Sequence, residues 1–314
     1  MTDALVAAKL SRGLDRPRFE TDGRFDRAIR QADDHGTFRQ KLEARYERLW
    51  TAFYWFDDIA LLEREYDVFE AMALSSDAAK NLEFAGNLLQ NLFTVTMHGL
   101  RTAEEVGLTR RVDRLKARLE TLAAEAERPN NALEAETSLL ILEVNLAMLE
   151  DRQRLAGLWP RFSSVLDRAR GLGEFSTDRV VKLVEVFGQI AGDDEAYSHL
   201  IDQLAAFVGA RVSEGEGAKV LLKRARQISE TNGLEAIRLL GRASLQLSKR
   251  EYADELVEAT YLLSVAYRGA GMLWAARTSA LYAVAKGSVC EAGVAPGCGP
   301  LIPARNVVFP AWSA

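Results

Sequence analysis

LWTAFYWFDDIALLEREY, residues 49–66, decides how the rest of the chain is read. Five of its first eight residues are aromatic, and Asp57 and Asp58 follow at once. Such a stretch is either the wall and acid pair of an active site or a helix packed on several sides. At helical spacing Leu49, Phe53, Phe56 and Ala60 share one stripe, and Trp50, Tyr54, Asp57 and Leu61 share the next. With Trp55 included, the helix is apolar over most of its circumference, so more than one neighbour must cover it. Trp50, Phe53 and Phe56 are therefore expected to be largely buried, and Asp57 and Asp58 to form the polar edge of a packed helix.

The same pattern runs outward from this stretch. Ala, Leu, Arg and Glu dominate, and all four favour helix. Of seven prolines, four lie beyond Gly287, which leaves the preceding chain nearly free of helix breakers. A short helix is expected over 24–33, ending near Gly36, and Thr37 can cap the helix that runs through the aromatic stretch. A helix over 77–106 stops at Gly107, with Thr109 placed to cap the next. There Leu108, Val112, Leu115, Leu119, Leu122 and Ala126 recur as an a/d seam suited to an antiparallel hairpin or a self-associating coil. RPNN at 128–131, the glycines at 171–173, GDD at 192–194, a loop SEGEG at 213–217 and Asn232-Gly233 punctuate the remainder. No alternating strand pattern stands out. The chain reads as all-α, roughly a dozen helices joined by short loops. Its expected divisions are a partly irregular segment 1–23, a helical array 24–286, and an irregular or disordered Gly/Pro-rich tail 287–314.

Hydrophobic residues make up 48% and charged residues 27%, an ordinary soluble composition with a net charge of −5. Acids and bases are interspersed, as on solvated helix faces laced with i,i+4 pairs. Only a weak arginine excess between Arg12 and Arg48 departs from this, so a phosphate backbone is disfavoured as partner. Arg110-Arg111 and Lys223-Arg224 are short basic runs with acidic neighbours. The only two cysteines, Cys290 and Cys298, lie in the tail, so no disulfide framework supports the body. The N-terminal residues lack the pattern of a signal peptide, and no apolar run approaches a membrane span. The expected location is the cytoplasm, with no membrane partner.

One segment carries a family resemblance. In EATYLLSVAYRGAGMLWAARTSALYAVA, residues 258–285, Leu263, the small Ser264 and Tyr267 take the spacing of a first repeat helix. Gly271 falls at the turn, and Ala276 and Ala283 at the small positions of a second helix. The segment resembles a tetratricopeptide repeat, although Ala280 stands where that motif has a bulky aromatic. The preceding pair keeps Ala236 and Ala243 but has Lys223 and Arg224 where Leu and a small residue belong. The chain thus resembles a divergent member of the tetratricopeptide-like repeats. That resemblance implies a right-handed α-solenoid of stacked antiparallel helical hairpins. It also implies partner binding by the groove-lining stripe Glu258, Tyr261, Val265 and Arg268. A repeat array ends in a polar capping helix; none is apparent here, which reads as an array continuing in a longer chain.

Catalytic alternatives are sparse. The aspartate pair is similar to the metal motif of helical terpenoid synthases, but that motif needs a carboxylate where Leu61 stands, and Glu63 and Glu65 are off the stripe. Arg30 and His35 have the spacing of the Arg-x4-6-His motif of HEPN-type helical ribonucleases, yet Asp33 and Asp34 would repel phosphate. His98 and His199 lack a second ligand at metal-binding spacing. Cys290 and Cys298 could close a loop or make half a zinc site. No phosphate loop, dinucleotide fingerprint or serine elbow is present. The favoured reading is a non-catalytic helical scaffold or sensor that binds a protein or peptide without cofactor or metal. RNA cleavage through Arg30 and His35 is the alternative, and self-association through the 108–126 seam a third.

Overall fold

The computed structural model describes residues 2–291 except 177, 189 and 193. Among these residues the chain forms fourteen α-helices, two short 3-10 turns and no strand. It divides into two compact units, Met1–Ser176 and Thr177–Ala314.

The first unit holds α1 (Thr2–Gly13), α2 (Arg18–His35), α3 (Phe38–Phe56), α4 (Ile59–Leu74), α5 (Ala79–Met97), α6 (Leu108–Ala123), α7 (Pro129–Glu150) and α8 (Trp159–Ala169). Each helix packs on the next, and α5 also packs against α3 and α7. The main core joins α3 to α7 through Leu49, Leu62, Tyr66, Phe69, Leu88, Leu92 and Phe93, with Val112, Leu115 and Leu119 of the seam. Leu108 and Leu122 of the seam are also buried, whereas Ala126 lies beyond the end of α6 and is exposed. A second, smaller cluster of Leu5, Ala8, Phe25, Ala28, Ala32 and Ala44 ties α1 and α2 to α3.

The second unit holds α9 (Asp178–Phe187), α10 (Glu195–Arg211), α11 (Glu214–Ile228), α12 (Gly233–Gln246), α13 (Ala253–Gly269) and α14 (Leu273–Glu291). Again each helix packs on the next, and α11 also meets α9 and α13. Arg224 is buried at the centre of this unit. Its guanidinium lies 4.9 Å from the Tyr197 ring and donates to the carbonyls of Gly188 and Gly192.

Several boundaries differ from the sequence expectation, each for a local reason. The first 23 residues are mostly helical, because α1 buries Leu5 and Ala8 against α2. The helix expected over 77–106 stops at Met97, and Thr102 and Glu105 hold the connection by reciprocal bonds of 2.7 and 3.2 Å. Gly107 opens α6, in the left-handed conformation (φ 56°), and Thr109 caps nothing. The 213–217 stretch is no loop: Ser213 accepts from the Glu216 amide and α11 starts at Glu214. Its glycines serve close packing, since an added Cβ on Gly217 would overlap the Ala205 carbonyl and on Gly215 the Tyr252 ring. Helix α14 continues past 287 to Glu291. Beyond it, residues 292–314, including Cys298, lie outside the described residues.

The α10–α11 crossing yields a sign test. Gly217→Ala is expected to destabilise by about 1–3 kcal/mol through overpacking. Gly241→Ala, in α12 with open space around it, is expected to stabilise by up to about 1 kcal/mol through helix propensity. Urea unfolding of both variants checks this; equal effects would mean that the crossing is looser than described.

Candidate functional site

The aromatic stretch is divided between packing and surface. Helix α3 starts at a capping box, Thr37 accepting from the Gln40 amide and Gln40 from that of Thr37. Leu42, Leu49, Thr51 and Ala52 turn into the core. Trp50, Phe53 and Phe56, expected to be largely buried, are only half-buried, and Tyr54 and Trp55 are exposed. Helices α2, α4 and α5 all pack on α3, and Arg18 of α2 lies 5.3 Å from the Phe56 ring, but the short α1 adds little cover. What α1 does supply is Arg12. Its guanidinium sits 5.0 Å from the Trp50 ring and 4.9 Å from Trp55 and donates to Glu47 and Thr51, both at 3.0 Å. Tyr54 donates to Asn91 Oδ1 at 3.0 Å, and Tyr46 lies 4.8 Å from Phe84, where burial pushes its phenol up to about 12.

Asp57 and Asp58 do not edge one continuous helix; they break it. Asp57 adopts the left-handed conformation (φ 50°) and ends α3. Asp58 starts α4 by accepting from the Leu61 amide at 2.9 Å. It also pairs with Arg18, whose hydrogen bond holds the carboxyl below its ordinary range. The two acids thus do separate backbone work. Among the described residues no three His, Cys, Asp or Glu side chains are placed to hold a metal ion together.

Arg30 and His35 are exposed, His35 as the last residue of α2. Five positions of α-helix set them roughly 140° apart around the axis, so they share no face. Asp33 is held by Arg45 through two bonds of 2.8 Å. His98 caps the end of α5, and His199 is exposed on α10.

A buried polar cluster that the sequence reading passed over lies between α4 and α6. Arg111 donates to Asp67 at 3.0 Å and to the Glu63 carbonyl at 2.9 Å. Arg114 binds Asp67 at 2.7 Å and also Glu70, which is fully buried beside Tyr66. Burial raises the Glu70 carboxyl above its ordinary value despite Arg114. Burial pushes Asp67 upward too, but the hydrogen bonds from Arg111 and Arg114 outweigh it and hold Asp67 low. Glu70 and Tyr66 are sealed from solvent, so the cluster bolts two helices together and offers no entry to a substrate. Its sequence signal was Arg110, Arg111 and Arg114, three arginines within one turn and a half of α6, against Asp67 and Glu70 of α4.

The remaining candidates lie at α13 and α14. Leu263, Ser264, Ala276 and Ala283 are buried between these helices. Of the predicted stripe, Tyr261, Val265 and Arg268 are exposed, whereas Glu258 is half-buried and pairs with Arg226 of α11. Helix α14 is unusual. It turns small residues, Ala276, Ala280, Ala283 and Gly287, toward α13, and leaves Leu273, Trp274, Leu281 and Val284 in water at 67%, 79%, 61% and 67% exposure. A surface helix ordinarily buries its large side chains, because each large aliphatic left exposed forgoes about 1.5–3 kcal/mol. Comparison with family models, curated proteins and solved structures finds no match.

Removing the Arg114 side chain isolates the buried acid. Arg114→Ala should cost about 3 kcal/mol near neutral pH, because Glu70 stays buried without its cation. The Glu70 pKa in the folded state then rises further above its unfolded value. A carboxyl with a raised folded pKa stabilises the fold below its unfolded value, about 4.3, and loses that stabilisation as pH rises through the folded value. The penalty should therefore be smaller at pH 4.5 than at pH 8. Unfolding curves at both values check it; an equal penalty would remove Glu70 from the explanation.

Proposed function

We propose that the chain is a non-catalytic helical scaffold that binds a protein or peptide partner through the end of its second unit. The observation that carries this reading is the large apolar surface left open by α13 and α14. Exposed apolar patches mark interaction sites. The succession of helices, each packed on the next within its unit, supports an α-solenoid of antiparallel hairpins similar to tetratricopeptide arrays. In such an array Tyr261, Val265 and Arg268 line the recognition groove, Tyr261 supplying apolar area with a polar tip and Arg268 a fork for a carboxylate. Glu258 acts at the rim through its pair with Arg226.

The enzymatic reading has less support. The acids of the aromatic stretch are engaged at helix ends, and Arg30 and His35 lie on different faces of α2. No helix among the described residues is long and apolar enough to cross a membrane, and the acidic balance agrees with a cytoplasmic scaffold.

Tyr261→Ala and Arg268→Glu, compared with the parent in affinity capture and thermal melting, test the reading. Both sites are exposed, so stability should stay within about 0.5 kcal/mol of the parent while the specifically retained protein is lost. Retention by both variants would reject the stripe. Cleavage of single-stranded RNA by the parent, abolished in Arg30→Ala, would replace the scaffold with a nuclease.

A further inference from the structure

The a/d seam of α6 is buried inside its own unit, but α14 carries a second seam that faces water. Trp274, Thr278, Leu281 and Ala285 recur at i, i+4, i+7 and i+11, which places them within about 60° of the helix circumference. All four are exposed and none is charged. The opposite side of α14, with Ala276, Ala283 and Gly287, is the buried one. Arg277 and Lys286 lie on opposite flanks of the seam, along the rings of Trp274 and Tyr282 at 5.9 and 5.6 Å. The Thr278 hydroxyl donates to the Trp274 carbonyl at 2.9 Å, so the side chain offers its methyl group to a neighbour. Covering the stripe desolvates no charge and leaves that hydroxyl paired.

We infer that this stripe receives the same stripe of a second copy of the chain, antiparallel, about a two-fold axis between Ser279 and Ala280. A two-fold makes every contact reciprocal. With that axis Trp274 meets Ala285 of the second copy and Leu281 meets its Thr278, so each layer sets a large side chain against a small one. Facing layers that alternate in this way interdigitate without voids. A parallel pair would stack Trp274 on Trp274 and Ala285 on Ala285, large on large and small on small. Charge does not oppose the antiparallel pair. The two copies of Arg277 are offset by five positions and those of Lys286 by thirteen, about 7.5 and 20 Å along the axis. With roughly 8–10 Å between helix axes added, both separations exceed the Debye length of about 8 Å. Leu273, Trp274, Leu281, Tyr282 and Val284 leave on the order of 600 Å² of each chain in water. About 1,200 Å² over two chains is the lower end of a specific interface, so the dimer is weak and the dilute chain keeps α14 open. The inference goes beyond the scaffold reading and does not rest on it: α14 takes a second copy, and Tyr261 and Arg268 of α13 remain for the other protein.

Sedimentation of the full chain over about two decades of concentration tests the inference. The parent should pass from monomer to dimer, and exchange of the α14 amides should slow over the same range. Leu281→Glu and, separately, Thr278→Lys should each weaken association at least about tenfold, because each seats an unpaired charge in the seam. Mixed together, the two variants should associate with each other more tightly than either does with itself, since the antiparallel layer sets the new carboxylate against the new ammonium. Both sites are exposed, so melting of the dilute variants should match the parent. A chain that stays monomeric at every concentration overturns the inference. Fast exchange of α14 would then leave the face to another protein, and slow exchange would show that the chain's own remainder covers it. A dimer that neither variant weakens, or one whose mixed variants fail to pair, overturns it as well. Protein capture that depends on Tyr261 keeps the scaffold reading standing after any of these results; capture independent of Tyr261 and Arg268 fails that reading on its own.

Discussion

Helices that are apolar on more than one side cannot stand alone, and this constraint organises the first unit. Helix α7 buries Leu133, Ala135, Leu140, Leu142, Val144, Ala147 and Met148, residues spread around its circumference. It therefore needs α5, α6 and α8 at once. Its buried polar residues remain tolerable because Thr137, Ser138 and Asn145 bond to carbonyls one turn earlier in the same helix. Helix α5 meets the same demand, lying against α3, α4, α6 and α7. Covering each helix from its neighbours in sequence satisfies the constraint with short connections.

Where apolar coverage is thin, charged and aromatic groups take over the joining. Arg12 ties α1 to the indoles of α3, and Arg111 with Arg114 ties α6 to α4. Such joints specify geometry more than they stabilise, since a desolvated charge gains only what its partner returns. At α14 neither device is in place. Its small residues allow close approach to α13, its large ones point outward, and its cations find no acid. The contrast with the rest of the chain makes this helix the place where function is sought.

The sequence made the helical periods and one cap legible. Thr37 accepts from the amide three residues on, and Leu108 to Leu122 of the seam are buried. Ser213 and Asn232 cap in the same way, but their stretches read only as a loop and a break. What stayed hidden depended on the partner across the crossing. Nothing in WFDDIA announces that Asp57 turns left-handed, because an aspartate suits a helix edge and a helix end alike. Gly215 and Gly217 look like a loop until Tyr252 and Ala205 are seen pressing on them. Arg114 looks solvated until Glu70 is found buried beneath it. The open face of α14 was likewise unreadable, since apolar residues on every side of a helix do not say which side a neighbour leaves bare.

Amide hydrogen exchange tests most directly the claim that coverage separates the structural helices from the recognition helix. The amides of α5 and α7 should exchange only with unfolding of their unit, and within the second unit α14 should exchange well before α11. Protection of α14 equal to that of α11, in the isolated chain, would contradict the account, because it would mean that the outer face of α14 is already covered.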